Sequence, residues 1–386
     1  QSVEHEICIA DDASTDGTME QVLVWMKRDK NIKLHINKGP DRLGHTILYD
    51  TLINDYATHD RVMIFHADMI LTPNSDKEVD KYLEKGKVVS LTRIEPPLHP
   101  DGPEKILMDF GIEPEEFKRD ELLEFVKDLQ SKNSDGIKYG PLALNREISE
   151  GIFAPWAIMK EDWDFIGGHD PIFAPQSKED SDIFNRFHLA GYTFIQTWQG
   201  FVYHMTCRGS RFKDGAIRNP AGQVFMKNRE SDEWLKQNQK STREFIRKWG
   251  SFVDHDKMMK PIVPPKYSIG FIVENCNIQM LQLLEPWCDN IYSDFVGHKG
   301  FGANRYIEEE QTSFDLKKRI HSDHMNPTDG VVVRFDASKL TQENFKIIEK
   351  LPAILQDSGE IGISEVDIFN ITIKSLRTSE IGLIKL

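Results

Sequence analysis

The feature that most constrains the fold of this chain is the alternation of short apolar runs with amphipathic helical patterns in its N-terminal part. Residues 7–10 form an apolar run that predicts a buried strand, and the apolar residues of 19–26 recur at the spacing of one helix face. The same patterns predict strands at 32–36, 61–65 and 88–91 and a helix at 47–52. Strands and helices in alternation indicate an α/β fold, with a mostly parallel sheet covered by helices on both faces.

Length and charge exclude some classes of protein. The chain has 386 residues, 39% of them hydrophobic, which is enough to bury two cores. Its net charge of −14 argues against a nucleic-acid partner, because such proteins need a positive surface. A phosphate-binding cleft stays compatible with that charge, since a few local cations suffice for it.

The cysteines and the hydropathy pattern bear on the compartment. Cys8, Cys207, Cys276 and Cys288 form no C-x-x-C pair and show no spacing typical of a disulfide framework or a zinc site. No apolar run reaches the ~20 residues that span a bilayer. We therefore expect a protein of a reducing compartment, the cytoplasm, without a membrane span.

A cluster of prolines divides the chain. Pro261, Pro264 and Pro265 indicate a linker after a helix predicted at 231–250. We therefore predict a first domain at 1–260 and a second at 266–386. Within the first, 95–145 has the pattern of an insertion, with a Pro-rich turn and one amphipathic helix. The insertion either covers a substrate site or only packs against the domain.

The second predicted domain has a pattern of its own. Strands are predicted at 267–273 and 331–335, and Thr341 is placed to cap a helix that Pro352 ends or kinks. Residues 366–373 alternate with one phase slip, which predicts a β-bulge. These elements indicate a small α+β domain without recognisable chemistry. Substrate binding, dimerisation and docking to another enzyme all stay open as its role.

Acidic residues that follow predicted strands are site candidates, because ligands of such sheets bind beyond the carboxyl ends of the strands. Asp11 and Asp12 end the first strand, and Asp68 closes the sequence His66-Ala67-Asp68 after the strand at 61–65. Carboxylates at these positions can accept from hydroxyl groups or hold a divalent cation. Each motif taken alone is also typical of a turn.

Two later motifs add an acid–base candidate and a group of cations. Glu179 and Asp180 open a predicted helix, where they serve either as a general base or as favourable charges at its positive end. His204 follows an apolar run and precedes Arg208 and Arg211, a combination that suits a metal ligand and phosphate-binding cations. A structural histidine is the alternative.

The order of these motifs along 1–250 resembles that of family 2 glycosyltransferases, which have the GT-A fold. The family shows a DD-x-S-x-D-G-T strand end, a D-x-D element, a G-G-x-D turn, an E-D pair before a helix that ends in A-G-Y, a later histidine and a K-W-G helix end. The matching positions here are 11–18, 66–68, 167–170, Glu179 and Asp180 with 190–192, His204 and 248–250.

The resemblance implies a role for each matching residue. The general base would be Asp180, with Glu179 beside it, and Mn²⁺ or Mg²⁺ would be held by Asp68, His66 and His204. The nucleotide-sugar donor would be bound by Asp11, Asp12, Asp16, His45, Ala67, Arg208 and Arg211. The acceptor would be bound by Trp156, Gly168, His169 and Asp170.

The chain departs from the family pattern at three points. It opens at Gln1 on what resembles the end of the first helix, so we expect the first strand–helix unit to be absent and its two neighbouring strands to be uncovered. His66 replaces the first Asp of the D-x-D element, and imidazole can still ligate Mn²⁺. The region of Gly44 and His45, with Arg42 close by, stands where the family has an arginine.

The resemblance implies an inverting, metal-dependent, hexosyltransferase-like enzyme that moves a sugar from a nucleoside-diphosphate donor to an acceptor hydroxyl. Family members act on polysaccharides, lipid-linked sugars and proteins, so the acceptor stays open, and the second domain offers a surface for oligomerisation. The absent unit and His66 favour an alternative, a GT-A module that binds a sugar nucleotide or glycan without turnover. A nucleotidyltransferase is disfavoured, because the Gly-rich basic loop typical of that class is missing.

Overall fold

The structure is a computed structural model that describes residues 3–133, 147–206, 216–226, 230–295, 301–322 and 325–386. Its contacts divide the chain into two compact units. The first comprises 1–238 with 255–262 and Leu386, and the second comprises 239–254 with 263–385. This division differs from a single cut between 260 and 266, because the C-terminal half of the helix Asp232–Trp249 contributes Ile246 to the core of the second unit.

The first unit alternates strands and helices as the sequence predicts. Its strands are β1 (Ile7–Asp12), β2 (Ile32–Asn37), β3 (Arg61–Ile64), β4 (Met69–Leu71), β5 (Lys87–Glu95), β6 (Lys105–Leu107), β7 (Ile148–Ser149), β8 (Trp156–Met159), β9 (Thr193–His204), β10 (Ala216–Arg218) and β11 (Val224–Met226). Its helices are α1 (Thr18–Arg28), α2 (Gly44–Thr51), α3 (Ser75–Tyr82), α4 (Arg119–Asn133), α5 (Lys160–Ile166), α6 (Glu179–Leu189) and the first part of α7 (Asp232–Trp249). The α/β class is therefore confirmed.

The main sheet of the first unit is mixed. Its strand order is β3-β8-β5-β9-β4, with β6 beside β5 and β7 beside β9. β5 runs parallel to β6 and β9, whereas β8 is antiparallel to β3 and β5, and β9 is antiparallel to β4 and β7. The prediction of a mostly parallel sheet is thus wrong for these strands. Parallel neighbours need a crossover connection, and β8 instead returns antiparallel to β5 after the inserted segment.

The first two strands stand apart from this sheet. β1 and β2 form a separate parallel pair, in register from Ile7 opposite Ile32 to Asp12 opposite Asn37. Among the described residues, β1 pairs only with β2 and β3 only with β8. The sequence analysis predicts that a strand is missing and that its two neighbours are uncovered. This stays a prediction.

Helices cover both faces of the main sheet. Successive side chains of β9 point to opposite faces, and each face packs against a different helix. Val202 packs with Val79 of α3 in one core cluster. Phe201 and Tyr203 pack in another cluster with the inserted helix α4, through Leu122, Val126 and Leu129. The amphipathic helix of the insertion is therefore part of the core of this unit.

The second unit has its own sheet. Its strands are β12 (Ile269–Glu274), β13 (Asn290–Ser293), β14 (Ile320–Ser322), β15 (Val331–Asp336), β16 (Gly362–Val366) and β17 (Phe369–Ile373), and the helices that follow α7 are α8 (Ile278–Leu284), α9 (Phe301–Glu309), α10 (Gln342–Glu349) and α11 (Leu351–Ser358). The strand order is β14-β13-β12-β15-β17-β16, in which the first four are parallel and the last two form an antiparallel hairpin.

Two local predictions for this unit have opposite outcomes. Thr341 caps α10 through a capping box, and α10 ends at Glu349, before Pro352, both as predicted. Pro352 itself lies in the first turn of α11. The predicted β-bulge is wrong, because Val366 pairs with Phe369 and the two residues between them form a hairpin turn. A two-residue turn shifts the alternation just as a bulge does. None of the described helices combines the length and apolar character that a bilayer crossing requires.

Candidate active site

Strand register brings the potential metal ligands together. Met69, the first residue of β4, pairs with His204, the last residue of β9, which places Asp68 next to His204. On the other side of β9, the parallel strand β5 ends at Glu95. Asp68 and Glu95 therefore lie on either side of His204 at one edge of the sheet.

His66, Asp68 and His204 form a cluster that fits a divalent metal. One ligand atom from each lies within 4.8 Å of the others, and His204 Nε2 is 3.4 Å from Asp68 Oδ2. Burial lowers the pKa of His66 to about 4, so its imidazole is neutral at pH 7, which is the form that binds a metal. Two imidazoles and one carboxylate suit Mn²⁺ and other transition metals.

Glu95 orients His204, and the sequence analysis missed it. Its Oε2 lies 2.9 Å from His204 Nδ1, and its Oε1 lies 2.9 Å from Lys105 Nζ. Burial opposes the charge of Glu95, but His204, Arg93 and Lys105 outweigh it and lower the pKa of Glu95 to about 2. A carboxylate that fixes one nitrogen of a histidine leaves the other for a metal. The strand predicted at 88–91 extends to Glu95. With that boundary, Glu95 is an acid at a strand end, like Asp12.

The E-D pair opens α6, and its two carboxylates have different environments. His45 Nε2 lies 2.5 Å from Glu179 Oε1. Burial disfavours both charges, but this contact outweighs it, so the pKa of Glu179 is lowered and that of His45 is raised. Burial, and next the charge of Glu179, raise the pKa of Asp180 to about 6. Asp180 is thus the carboxylate suited to accept a proton near neutral pH.

Tyr49 connects the metal cluster to the E-D pair. It lies one turn after His45 on α2, and its ring stacks on that of His66 with 6.2 Å between centroids. The centroids of His45 and His169 lie 5.8 Å and 6.1 Å from it. Burial, and then the charges of nearby carboxylates, raise the pKa of Tyr49 well above its ordinary value, so it stays neutral. Tyr49 is not among the residues predicted from the sequence, although its i, i+4 spacing from His45 places both on one helix face.

Asp50, also missed, holds the turn at Gly168 and His169. It accepts from the backbone N–H of His169, and its Oδ1 lies 2.8 Å from His169 Nδ1. Gly168 is required here, because its φ is +78° and a Cβ would lie 2.3 Å from Asp50 Oδ2. The side chains of His169 and Trp156 are buried, yet His169 Nε2 and Trp156 Nε1 have no hydrogen-bond partner among the described residues. Since an unpaired buried polar group costs about 1–3 kcal/mol, such atoms point to a ligand or a water molecule.

The two acids at the end of β1 behave differently. Asp11 is buried; its Oδ2 accepts from Ser14 N, whereas its Oδ1 has no partner in the described part of the chain. The carboxylate of Asp12 accepts from the backbone N–H groups of Leu43 and Gly44. Burial opposes its ionisation, but these and other hydrogen bonds lower its pKa. Asp12 therefore anchors the start of α2, and Asp11 retains the capacity to bind a ligand.

The remaining predicted residues make local contacts, are exposed, or lie outside the described ranges. Asp16 is exposed and accepts from the first residue of α1. Ala67 is exposed between the two metal-ligand candidates. Asp170 accepts from the backbone of the short 3₁₀ helix that follows it. Arg208 and Arg211 lie outside the described residues.

Comparison with known proteins gives one family model and a similar solved structure. Residues 2–153 match the family model described as Glycosyl transferase family 2. No curated protein sequence matches the chain. Among solved structures, the crystal structure of GalNAc-T7 with UDP, GalNAc and Mn²⁺ is similar at 12% identity and a TM-score of 0.40, over 63% of this chain and 42% of that one. The region matched by the family model contains β1, α2 and the sequence from His66 to Asp68, so this part of the chain is similar to glycosyltransferase family 2.

Proposed function

We propose that the chain is an inverting, metal-dependent glycosyltransferase that moves a hexose-like sugar from a nucleoside-diphosphate donor to a hydroxyl group of a glycan, lipid-linked or protein acceptor. One observation carries the proposal. The E-D pair at the start of α6 and the cluster of His66, Asp68 and His204 belong to one site, because the ring of Tyr49 contacts both His45 and His66.

Asp180 is assigned the general base. An acceptor hydroxyl is a poor nucleophile at neutral pH, so a carboxylate must take its proton as the oxygen attacks. Glu179 is paired with His45, which leaves Asp180, with its pKa raised to about 6, to do so. The new glycosidic bond forms on the face opposite the bond to the diphosphate, which breaks, and the anomeric centre is inverted.

The leaving side needs positive charge. His66, Asp68 and His204 would hold a divalent cation, for which their two imidazoles favour Mn²⁺ over Mg²⁺, and the bound cation would neutralise the charge that develops on the diphosphate. Glu95 fixes the ring of His204 for that purpose. The unpartnered Oδ1 of Asp11 requires a donor, which a base N–H or a ribose hydroxyl supplies.

Sugar hydroxyls suit Trp156 Nε1 and His169 Nε2, which have no hydrogen-bond partner in the described part of the chain. Trp156 Nε1 can only donate, whereas His169 Nε2 accepts when its Nδ1 proton is given to Asp50. A hydroxyl group can satisfy either atom because it is both donor and acceptor. Asp50 thus determines which tautomer of His169 a sugar meets.

Calorimetric titration with UDP, GDP and dTDP, with and without Mn²⁺, tests the donor site. We expect Mn²⁺-dependent binding of one nucleotide, its loss in Asp68→Ala, and its retention in the matched control Asp164→Ala, which removes an exposed carboxylate on α5. A folded chain that binds none of the three contradicts the proposal. Binding without release of nucleoside diphosphate from any sugar donor would instead identify a module that binds sugar nucleotide without turnover.

A further inference from the structure

The position of His45 is fixed from the residues on either side of it. A Cβ on Gly44 would lie 2.1 Å from the carbonyl oxygen of Pro175, so only glycine allows this approach. Thr46 Oγ1 donates to the same oxygen at 3.3 Å, and Gly44 N donates to Asp12 Oδ2 at 2.9 Å. The start of α2 is therefore held against the turn that precedes α6, and His45 lies between these contacts.

That turn is itself in an uncommon conformation. Ser177 and Lys178 have φ values of +81° and +76°, which cost non-glycine residues on the order of 1–3 kcal/mol each. Ser177 Oγ lies 2.7 Å from Asn238 Oδ1, so a second contact holds the turn from the side of α7. This strained backbone conformation places Glu179, the next residue, beside His45.

The contact neutralises a buried charge. The side chain of Glu179 is 7% exposed, its Oε1 is paired with His45, and its Oε2 has no partner among the described residues. The charged and titratable groups that act on the adjacent Asp180 include Glu179 on its own helix, His169 from the turn after α5, His45 on α2 and Arg93 on β5. Of these, His45 is the one that forms a hydrogen bond with the neighbouring carboxylate.

We propose that His45 is a positioning residue of the catalytic pair, which binds Glu179 instead of the donor nucleotide and so leaves Asp180 as the single proton acceptor. The inference rests on the proposed function. Without a cation beside Glu179, two adjacent buried carboxylates would share one proton, and Asp180 would stay protonated to a higher pH. His45 therefore acts on the reaction through Glu179 and does not touch the reacting atoms.

The ion pair can be tested without any activity. The histidine rings of the full chain can be titrated by NMR, and the His45 signal is assigned by its absence in His45→Gln. We expect His45 to retain its proton above the usual pH range of histidine. Glu179→Gln should return it to that range, and Asp164→Asn should not change it. Identical titration of His45 in the chain and in Glu179→Gln overturns the proposal.

Kinetics then separate positioning from donor binding. His45→Gln keeps a hydrogen-bond donor but loses the charge, so we expect kcat at pH 7 to fall about tenfold and the acidic limb of the kcat profile to move up by about one pH unit. KM for the donor and the Kd of its nucleotide should stay within about twofold, and His45→Lys should bring the limb back. A weaker nucleotide Kd with an unmoved limb would show that His45 is a donor ligand and overturn the proposal.

The Glu179→Gln variant gives a kinetic test that does not depend on whether His45→Gln folds. Glu179→Gln removes a negative neighbour whose effect on Asp180 exceeds that of His45, so the acidic limb should move to lower pH, opposite to His45→Gln. Limbs that move in the same direction contradict the proposal. If the unaltered chain turns over no donor, the proposed function fails, while the NMR titration still decides whether the ion pair exists.

Discussion

Two buried polar clusters, one in each unit, differ in how completely their atoms are paired. In the second unit, the guanidinium of Arg247 is fully buried and donates to Glu285, Glu244, Glu310 and Tyr306. Glu285 also accepts from Arg319 and Tyr306. No side-chain atom of this Arg247 cluster is among the buried polar atoms that lack a partner within the described residues.

The candidate active site of the first unit leaves several such atoms unpaired. Asp11 Oδ1, Trp156 Nε1, His169 Nε2 and Glu179 Oε2 are buried without a hydrogen-bond partner in the described ranges. Each unpaired atom destabilises the fold, whereas each paired one in the Arg247 cluster restricts the chain to one arrangement. This difference between the clusters indicates that a satisfied cluster maintains structure, while an unsatisfied one retains capacity for a ligand. It predicts that substitutions in the first cluster change activity and those in the second change stability.

The largest effect is expected at Asp180. Asp180→Asn removes the proton acceptor, so kcat should fall by about 10²–10⁴-fold while the nucleotide still binds. Steady-state assays of nucleoside-diphosphate release, with calorimetry for binding, measure both quantities. Asp164→Asn on the exposed face of α5 is the control. Asp180→Asn with nearly full activity would show that another group takes the proton.

Arg247 tests the other side of the comparison. Arg247→Ala leaves Glu285, Glu244 and Glu310 without their buried partner, so the free energy of unfolding should fall by about 3–5 kcal/mol. Urea unfolding followed by circular dichroism measures this change, and binding of the donor nucleotide by the remaining folded chain should be unaffected. Arg305→Ala breaks an exposed Arg–Glu pair of the same unit and should leave the unfolding midpoint unchanged. Equal effects of the two substitutions would refute the distinction.

Glu95 lies between the two classes, because it is fully paired yet contacts the site. Glu95→Gln removes the charge that fixes the ring of His204, so Mn²⁺ affinity measured by calorimetry should fall about 10–100-fold. Glu104→Gln is a matched control, since Glu104 pairs with the same Arg93 and Lys105 but is not the carboxylate held by His204. If both variants lose equal affinity, the effect comes from the surrounding cations and not from the orientation of His204.

The sequence was sufficient for features that depend on local pattern. Periodicity predicted the strands β1, β2, β3 and β5 and the helices α1 and α2 of the first unit, and capping chemistry predicted the start of α10 at Thr341. Strand direction was predicted wrongly, since it depends on the path of the segment inserted between β5 and β8. The phase slip at 366–373 was assigned to a bulge because alternation alone does not distinguish a bulge from a two-residue turn.

The same limit applies to the site. Motifs at strand ends identified Asp68 and His204, and β-sheet register explains why they meet. The partner of Glu179 is 134 residues away in sequence, and neither Tyr49 nor Asp50 belongs to a motif used in the sequence analysis. Which carboxylate is neutralised, and which atoms stay unpaired, depends on contacts between distant segments, and no short pattern encodes them.

The smallest expected effect tests whether pairing, and not the choice of unit, separates the two classes. Glu6 belongs to the first unit and accepts from Lys33, Thr58 and His59. Burial opposes its charge, but these donors lower its pKa from 4.5 to about 2. A lowered pKa stabilises the fold at pH values above the pKa of the unfolded chain, near 4.5, and this contribution is lost as the pH falls toward 2.

Glu6→Gln should therefore reduce the free energy of unfolding at pH 7 by on the order of 1 kcal/mol, after screening by solvent, and by nothing near pH 2. Urea unfolding at several pH values measures the difference, with the exposed neighbour substitution Glu4→Gln as control. A difference that does not change with pH would mean that Glu6 acts through packing, and a loss of nucleotide binding without loss of stability would place it with the unsatisfied cluster.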